Sequence, residues 1–562
     1  MPRRRKDIMP ITEYLERNSR LHPNDVSLVE INPANQPERN VTWHEFNLIE
    51  SSSDAKYRRE MTWREFDVRA NRFANLLLTR GVKRGDKVAI LLMNCLEWLP
   101  IYFGILKTGA IVVPMNYRYS SDEIKYCLDL SDSRILVFGP EFVDRVNALV
   151  PSDGTPSQIP MITDFFFVGE EKDRPAYASD FTTMVTYCSS GAPAVEISDD
   201  DDAAIYFSSG TTGFPKAILH RHAALMTAAR TEQAHHSQGK DDVFLCIPPL
   251  YHTGAKMHWF GSLVSCSRAV LLRGVKPEWI LQSVSEEKAT IVWLLVPWAQ
   301  DILDAIDSGE INIDDYRVSQ WRLMHIGAQP VPPSLVKRWQ ARFPGQDYDT
   351  NYGLSESIGP GCVHLGVENI HKVGAIGVAG NGWEVKIVDE HRNTVERGEV
   401  GELAVRGDGV MKCYYKNPEA TAEILTDDGW LLTGDMARED EDGFIYLVDR
   451  KKDVIITGGE NLYPVQIEDF LRAHEKIKDV AVIGLPDDRL GEIAAAIIEI
   501  KPDMTCTEEE INAFCTELPR YKRPKKIIFA DVPRNPTGKI EKPRLREIYC
   551  GGKRLVEHET TK

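Results

Sequence analysis

The segment AAIYFSSGTTGFPKAILHRH, residues 203–222, places a loop rich in glycine and hydroxyl residues after a short apolar run. The run AIYFSS predicts a buried strand, and AALMTAAR at 223–230 has the composition of a helix. A loop between a strand and a helix in this way is typical of a phosphate-binding site. A flexible Ser/Gly linker is the alternative, but linkers are not normally flanked by an apolar strand and a helix.

The loop carries the groups that a phosphate needs. Gly210 and Gly213 let the backbone approach an anion closely, and Lys216 adds a positive charge. The hydroxyl donors are Ser208, Ser209, Thr211 and Thr212. This is not a Walker loop, because the spacing differs and Ala217, rather than Ser or Thr, follows the lysine.

Four further motifs follow in the chain: YGLSES at 352–357, GWLLTGD at 429–435, DRKKDVIITGGENLYP at 449–464 and NPTGKI at 535–540. Together with the loop SSGTTGFPKA they resemble the adenylate-forming superfamily, in order and in rough spacing. That superfamily includes acyl-CoA synthetases, adenylation domains of peptide synthetases, and luciferases. The resemblance covers nearly the whole chain.

The composition is that of a folded enzyme of more than one domain. The chain has 562 residues, 43% of them hydrophobic and 27% charged, and a formal net charge of -17. This charge works against binding to nucleic acid or to an anionic membrane. Apolar stretches such as residues 101–115 contain a lysine and are shorter than the ~20 residues that span a bilayer.

Cysteines and histidines give no sign of a disulfide framework or a metal site. The ten cysteines are scattered singly without a CxxC pair, which favours a reducing cytoplasm, and the basic start MPRRRKDIMP lacks the apolar region of a secretory signal. Histidines at 220, 222, 235 and 236 have no partner cysteines and no HExxH motif. We interpret them as surface or capping residues.

Periodicity predicts an α/β fold with a largely parallel sheet. Residues 63–81 form an amphipathic helix that ends at Gly81, and helices then alternate with strands such as KVAILLMN and RILVFG. Short alternating runs between 384 and 450 predict an antiparallel, β-barrel-like subdomain. After Arg450 three strands and two helices predict a small α+β module. We therefore expect a large N-terminal domain of layered α/β subdomains over residues 1–451 and a small mobile C-terminal domain over 452–562.

One repeat interrupts this pattern. TWHEF at 42–46 recurs as TWREF at 62–66. We interpret residues 47–61 between them as a polar surface insertion.

The resemblance implies that ATP activates a carboxylic acid. It assigns Mg²⁺ binding to Glu356, a phosphate contact to Ser355 and adenine stacking to Tyr352. It also assigns the ribose to Asp435 and Arg450, although Asp449 stands where the family commonly has glycine. The adenine-side wall would be Gly327, Ala328 and Gln329.

In the C-terminal domain the resemblance makes Lys539 the catalytic lysine, whose charge stabilises the attacked α-phosphate. Gly458 and Gly459 would line the tunnel for the pantetheine arm of coenzyme A, and Lys452 would be the hinge. The basic stretch RYKRPKK at 520–526 is a candidate for the CoA phosphates, although an exposed charged helix end explains it equally well.

The acyl pocket is the least legible part of the sequence. By resemblance, His252 in PPLYHTG lies against the reacting carboxylate, and Ala328, Gly353 and Ile358 form the wall. Trp259 and Phe260 are interpreted as core residues rather than pocket residues.

We therefore expect a cytoplasmic carboxylate:CoA ligase that depends on ATP, Mg²⁺ and coenzyme A and acts on a small medium-chain, aromatic or alicyclic acid. No nucleic-acid partner and no transmembrane segment are expected, and a homo-oligomer is left open. The alternatives are another adenylate-forming enzyme, either a stand-alone adenylation domain or a luciferase, and a catalytically silent nucleotide sensor. The presence of both Lys539 and Glu356 argues against the sensor.

Overall fold

The computed structural model describes residues 9–35, 57–152, 154–208, 215–327, 331–364, 366–457, 460–487, 489–502, 504–534 and 540–550. The chain divides into two compact units. The first consists of Met1–Val385 with Val405–Leu431, and the second of Lys386–Ala404 with Leu432–Lys562. The second unit thus includes residues that precede 452, and the boundary expected at 451/452 stays a prediction.

The strands of the described residues are β1 Val26–Ile31, β2 Arg58–Thr62, β3 Lys87–Leu91, β4 Ile111–Pro114, β5 Ser133–Phe138, β6 Asp164–Phe167, β7 Ser179–Asp180, β8 Asp202–Phe207, β9 Ala217–Arg221, β10 Val243–Cys246, β11 Arg268–Leu272, β12 Ile291–Leu295, β13 Leu323–Gly327, β14 Asp347–Gly353, β15 Pro360–His364, β16 Val378–Ala379, β17 Glu384–Val388, β18 Gly401–Arg406, β19 Cys413–Tyr414, β20 Leu431–Glu439, β21 Ile445–Arg450, β22 Ile455–Thr457, β23 Glu460–Leu462, β24 Ile477–Asp487, β25 Gly491–Ile500 and β26 Lys526–Phe529.

The α-helices of the same residues are α1 Ile11–Leu21, α2 Trp63–Thr79, α3 Trp98–Leu106, α4 Ser121–Ser131, α5 Val143–Asn147, α6 Phe181–Thr186, α7 His222–His235, α8 Thr253–Ser265, α9 Pro277–Glu287, α10 Val296–Asp307, α11 Pro333–Arg342, α12 Pro418–Ile424, α13 Pro464–Arg472, α14 Glu508–Phe514 and α15 Lys542–Tyr549.

Two large sheets organise the first unit. Within the described residues one has the order β16-β15-β14-β13-β12-β10-β11-β1-β2 and the other β19-β9-β8-β4-β3-β5-β6-β7. The inner pairs are parallel, whereas antiparallel pairs such as β1 with β2 and β8 with β9 lie toward the edges. The predicted α/β class with largely parallel sheets is confirmed.

The strands show why the sequence builds layers. In β3, Val88 and Ile90 face a core shared with α2, α3, α7 and α8, while Ala89 and Leu91 face a second core on the other side of the sheet. Both faces are buried, so the strand is apolar from Val88 to Leu91, as expected for a parallel sheet covered by helices on each side. The shared core also takes residues from the other large sheet, so these helices lie between the two sheets.

The repeated TWREF begins helix α2. The Thr62 hydroxyl accepts a hydrogen bond from the Glu65 amide at 3.2 Å, and the Glu65 carboxylate accepts one from the Thr62 amide at 2.8 Å, which completes a capping box. The first copy, at 42–46, lies outside the described residues.

The prediction of a surface insertion over residues 47–61 is wrong at its C-terminal end. Residues 58–62 form strand β2, which pairs antiparallel with β1, and Met61 is fully buried. The charged run YRRE does not look like a strand in the sequence. Its arginines are accommodated by ion pairs at the edge of the sheet, for example between Arg58 and Glu287 at 2.6 Å.

In the second unit the predicted strands and helices after residue 450 are confirmed. β24 and β25 form a long antiparallel pair, β26 lies parallel to β25, and α13 packs against them. The short runs between 384 and 450 become β17, β18, β20 and β21, which form one sheet. No helix among the described residues combines the length and the apolar character needed to cross a membrane.

Candidate active site

The loop at 209–214 connects two antiparallel strands. Phe207 in β8 pairs with Ala217 in β9, and the Ser208 amide donates to the Lys216 carbonyl at 3.1 Å. Ser209, Gly210, Thr211, Thr212 and Gly213 lie outside the described residues. The base of the loop is therefore a closed hairpin.

The predicted order of strand, loop and helix is wrong, because β9 stands between the loop and helix α7. The apolar residues Ile218 and Leu219 are buried in the sheet, which favours a strand over an early helix start. Five residues of strand separate the loop from the helix N-terminus by about 15 Å. Helix α7 therefore does not begin directly after the loop, as a phosphate site made of a loop and a helix N-terminus would require.

Tyr414 brings two predicted site residues together. Its hydroxyl donates to Glu356 Oε1 at 2.8 Å, and Lys216 Nζ lies 4.6 Å from the centre of its ring. The Met411 amide also donates to the Glu356 carbonyl at 2.7 Å. Tyr414 is held in place because β19 pairs with β9, with Tyr414 opposite Ile218. The Lys216 ammonium and the Glu356 carboxylate, which come from distant motifs, thus both contact the side chain of Tyr414.

A buried histidine supports the YGLSES segment. Tyr352 and Gly353 end strand β14, and His220 in β9 lies 2.8 Å from the Ser355 carbonyl through Nε2. Burial lowers the pKa of His220 to about 4, so the neutral ring donates Nε2–H to this carbonyl. The YGLSES segment is therefore tied to the strand that follows the phosphate loop.

Ile358 has an unusual backbone. It is buried, and its φ of 48° lies in the left-handed region that a β-branched side chain disfavours. The Gly359 amide donates to the Ser357 carbonyl at 2.5 Å across it. Such a conformation costs of the order of 1–3 kcal/mol and is commonest at functional sites. The place of Ile358 in the acyl pocket stays a prediction.

His252 occupies the N-cap position of α8, next to Tyr251, with 4.9 Å between the two ring centres. Trp259 and Phe260, later in the same helix, are fully buried among Phe66, Phe103 and Tyr102, which confirms them as core.

Of the predicted adenine-side wall, Gly327 is the last residue of β13 and is buried. Ala328 and Gln329 lie outside the described residues.

Asp435 and Arg450 form an ion pair. They face each other across β20 and β21, with 2.6 Å between Arg450 Nε and Asp435 Oδ1. Asp435 is buried, whereas the guanidinium is partly exposed. The two predicted ribose ligands are thus adjacent, so that the acceptor oxygens of Asp435 lie beside the donor groups of Arg450.

The predicted hinge residue Lys452 lies in a single 3₁₀ turn, Lys451–Asp453. Ion pairs hold both neighbours: Lys451 Nζ lies 2.8 Å from Glu402, and Arg546 lies 2.6 Å from Asp453. The preceding Asp449 accepts hydrogen bonds from the Arg450 amide and from the Val465 amide at the start of α13.

Lys539, Gly458 and Gly459 lie outside the described residues. The segment that contains Lys539 is closed at its base, since Arg534 pairs with Ile540 and the Glu541 amide donates to the Pro533 carbonyl at 2.8 Å.

Sequence reasoning missed Lys256. This lysine of α8 is fully buried, donates to the carbonyls of Leu250 at 2.8 Å and Tyr251 at 3.2 Å, and lies 4.1 Å from the centre of the Tyr206 ring. Burial holds its pKa well below the usual value. A lone lysine in an apolar helix carries no motif that could have revealed it.

The interpretation of His220, His222, His235 and His236 as surface residues is wrong, because the side chains of all four are buried. His236 does take the C-cap position of α7. His235 and His236 meet His325 from β13 and Asp349 from β14. Neither strand partner is near them in the sequence, so their spacing could not reveal the cluster.

The family model described as AMP-binding enzyme matches residues 29–415, and the model described as AMP-binding enzyme C-terminal domain matches residues 466–539. The long-chain-fatty-acid–CoA ligase FadD13 of Mycobacterium tuberculosis is 34% identical over 494 residues, 85% of this chain and 91% of that protein. The medium-chain fatty-acid–CoA ligase of Escherichia coli is 31% identical over 490 residues, 86% of this chain and 84% of that protein.

Among solved structures, ATP-bound MatB from Rhodopseudomonas palustris superposes with a TM-score of 0.81 at 26% identity, over 96% of this chain and 99% of MatB. The anthranilate CoA ligase AuaEII in complex with anthranoyl-AMP gives a TM-score of 0.79 at 25% identity, over 96% and 97% of the two chains.

Proposed function

Because this chain belongs to the AMP-binding enzyme family, we propose that it ligates a carboxylic acid to coenzyme A at the expense of ATP. In the first step a carboxylate oxygen attacks the α-phosphorus of ATP, pyrophosphate leaves, and an acyl-adenylate forms. In the second step the thiol of coenzyme A loses its proton and attacks the acyl carbonyl, and AMP leaves. A free carboxylate would have to expel an oxide ion, which is not a leaving group. The acyl-adenylate expels AMP instead, which is one.

The observation that carries this proposal is the convergence of Lys216 and Glu356 on Tyr414. Attack at a phosphate requires charge neutralisation and positioning more than a general base. Lys216, at the base of the hairpin loop, supplies a cation. Glu356 supplies a carboxylate whose Oε1 is fixed by Tyr414.

Mg²⁺ fits this site chemically, since hard divalent cations prefer carboxylate oxygens and nucleotide phosphates. Glu356 would hold the ion, which would neutralise phosphate charge when bound. The hydrogen bond from Tyr414 already fixes the orientation of the Glu356 carboxylate.

For the nucleotide, we assign the adenine ring to Tyr352 and the wall at Gly327, Ala328 and Gln329, and the ribose diol to Asp435 with Arg450. The Asp435–Arg450 pair supports this assignment because a carboxylate accepts from both hydroxyls while the guanidinium donates to the same sugar. Ser355 and the hydroxyls of Ser208, Ser209, Thr211 and Thr212 would contact the phosphates.

For the acid and coenzyme A, we assign His252, Ala328, Gly353 and Ile358 to the acyl pocket and Gly458 with Gly459 to the pantetheine tunnel. Lys539 would stabilise the charge that develops on the attacked phosphorus. The acid would be a medium-chain, aromatic or alicyclic carboxylate. We place the enzyme in the reducing cytoplasm, as its scattered cysteines favour; its oligomeric state stays a prediction, to be measured by light scattering.

A panel of carboxylic acids tests the proposal. We expect AMP and pyrophosphate to form only with a suitable acid, and acyl-CoA to appear when coenzyme A is added. ADP and inorganic phosphate as products would contradict attack at the α-phosphorus. Pyrophosphate release without consumption of coenzyme A would favour a stand-alone adenylation enzyme, and ATP binding without turnover of any acid would favour a sensor.

A further inference from the structure

Three imidazoles and one carboxylate meet in the interior of the first unit. His235 and His236 lie at the C-terminal end of α7, His325 lies in β13 and Asp349 in β14. One ligand atom from each of the four side chains lies within 4.8 Å of all the others. All four side chains are at most 4% exposed.

The fold places these groups on one surface. His325 and Asp349 are directly opposite each other on adjacent parallel strands, so their side chains leave the same face of the sheet. The end of α7 packs against that face and adds the two consecutive histidines. Helix and strands therefore fix the cluster independently of any loop.

The distances between the atoms match a metal site. His235 Nε2 lies 3.2 Å from Asp349 Oδ2, His236 Nε2 lies 3.4 Å from the same oxygen, and His236 Nε2 lies 3.1 Å from His325 Nδ1. Ligands about 2.0–2.1 Å from a tetrahedral zinc ion are separated from one another by about 3.3 Å. The remaining ligand atoms lie within 4.8 Å of one another.

Several possible ligand atoms of the cluster face one another directly. His325 Nδ1 contacts Asp349 Oδ1, and His236 Nε2 faces both that carboxylate and His325 Nδ1. Asp349 can accept from an N–H on each of these nitrogens, and in the other tautomer each nitrogen offers a lone pair to a metal ion instead. A cation among the four atoms accepts an electron pair from each of them.

We propose that His235, His236, His325 and Asp349 bind one Zn²⁺ ion. Imidazole ligands favour zinc over Mg²⁺ or Ca²⁺, which prefer oxygen. Four protein ligands leave no open position, so the site is structural. Glu232 Oε2, 3.5 Å from His236 Nε2, lies just outside the ligands, and its Oε1 accepts from Asn351 at 2.7 Å.

The ion would join the end of α7 to β13 and β14. These two strands end at Gly327 and Gly353, next to the residues assigned to the nucleotide and the acid. The proposed zinc would therefore hold the floor of the active site without taking part in the reaction.

Metal content tests the proposal without any activity measurement. Untagged protein, purified without chelator, is analysed by inductively coupled plasma mass spectrometry beside His235→Gln/His236→Gln and His222→Gln. His222 is the matched control, because it is buried in the same helix but lies outside the cluster. We expect about one zinc ion per chain in the wild type and in the control, and a substoichiometric amount in the double variant.

Cobalt substitution decides the outcome even if the double variant fails to fold. Wild-type protein stripped of metal and titrated with Co²⁺ should develop the intense visible bands of a tetrahedral site, saturating at one equivalent, and added Zn²⁺ should abolish them. Wild-type protein that carries no zinc and gives no such bands would overturn the proposal. Full zinc occupancy in a folded double variant, or stoichiometric iron or nickel in place of zinc, would also overturn it.

Discussion

At the scale of single residues, Tyr414 is the described side chain on which Glu356 and Lys216 meet. Tyr414→Phe keeps the ring near Lys216 but removes the hydroxyl that donates to Glu356 Oε1 at 2.8 Å. A hydrogen bond to a charged group contributes about 1.5–3 kcal/mol, so we expect kcat/KM for MgATP to fall roughly ten- to hundredfold. The measurement is pyrophosphate release at varied MgATP.

The neighbouring tyrosine is the matched control. The Tyr415 hydroxyl donates to Asp132 at 3.1 Å, so Tyr415→Phe removes a hydroxyl from the same strand end without touching Glu356. The control should keep wild-type kinetics. Equal losses in both variants would show that Tyr414 acts only through packing.

We expect the charge of Lys539 to matter for the first half-reaction and not for the second. Lys539→Ala should lower adenylate formation by several orders of magnitude, because the cation at the attacked phosphorus is gone, while transfer from supplied acyl-adenylate to coenzyme A is largely spared. Pyrophosphate release and thioester formation are measured separately, with the exposed Lys501→Ala as control. Equal loss in both steps would make Lys539 a structural residue.

Because of Lys256, we expect the free energy of unfolding of the first unit to change with pH below about 10.5. Burial lowers its folded pKa below the ordinary 10.5, so the unfolded chain binds the proton more tightly. The resulting destabilisation is full below the folded pKa and disappears as pH rises toward 10.5. Wild type should therefore gain stability relative to Lys256→Met over this range, measured by urea unfolding at several pH values.

Parallel pH profiles of the two proteins would contradict this origin of the effect. Lys256→Ala additionally removes the stem that fills space beside Tyr206. We expect it to be about 2–5 kcal/mol less stable than Lys256→Met.

Sequence patterns revealed the residues that belong to contiguous motifs and missed those that act through the fold. Glu356 and Asp435 stand in recognisable segments, whereas Tyr414 and Lys256 stand in none and gain their role from partners brought by other strands and helices. His236 was misread for the same reason, since its buried partners His325 and Asp349 come from separate strands.

At the scale of secondary-structure elements, Asp449 links strand β21 to helix α13 through its bond to the Val465 amide. Burial is the main cause that raises the pKa of Asp449 to about 6 from 3.8, with Lys542 opposing and Glu468 adding to it. The folded state then holds the proton more tightly than the unfolded state. Stability is therefore lost as pH rises from 3.8 through about 6.

Asp449→Asn should remove this dependence. Between these two pH values the free energy of unfolding of wild type should fall by roughly 3 kcal/mol relative to the variant. Hydrogen exchange of amides in β21 and α13 gives the local reading. Identical slopes in wild type and variant would place the titration on another group.

The element-level errors share one cause. The sequence predicts an insertion that ends at residue 61 and a loop that leads directly to a helix, yet the short runs at 58–62 and 217–221 are strands that add to sheets formed by distant segments. A run of five residues is too short for periodicity to distinguish strand from helix. Longer patterns such as α2, β24 and β25 were predicted correctly because their alternation or amphipathic face extends over ten or more residues.

At the scale of the whole molecule, the two proposed half-reactions need different protein segments next to the same substrates. We expect Lys539 to be required for adenylation and the segment with Gly458 and Gly459 for thioester formation, and both belong to the C-terminal part of the chain. We expect that part to rotate about Lys452 between the two steps.

Lys452→Pro tests the rotation. Proline fixes φ near -65° and restricts the preceding residue, so the 3₁₀ turn should lock in one arrangement. We expect single-turnover pyrophosphate release to persist while thioester formation from supplied adenylate falls by orders of magnitude. Full activity in both steps would place the pivot elsewhere, provided that circular dichroism shows a folded protein.

The second unit is assembled from two separate segments, Lys386–Ala404 and Leu432–Lys562, because Val405–Leu431 returns to the first unit. A genetic crossover between related genes inside this interval would join β17 and β18 of one parent to β20 and β21 of another, and so split one sheet between two ancestries. Breakpoints that preserve this sheet lie before Glu384 or after Arg450. We expect functional hybrids of this enzyme with its relatives to respect that rule. A cut at residue 466, where the match to the C-terminal family model begins, keeps this sheet whole but separates β22 and β23 from β24 and β25, which share another sheet.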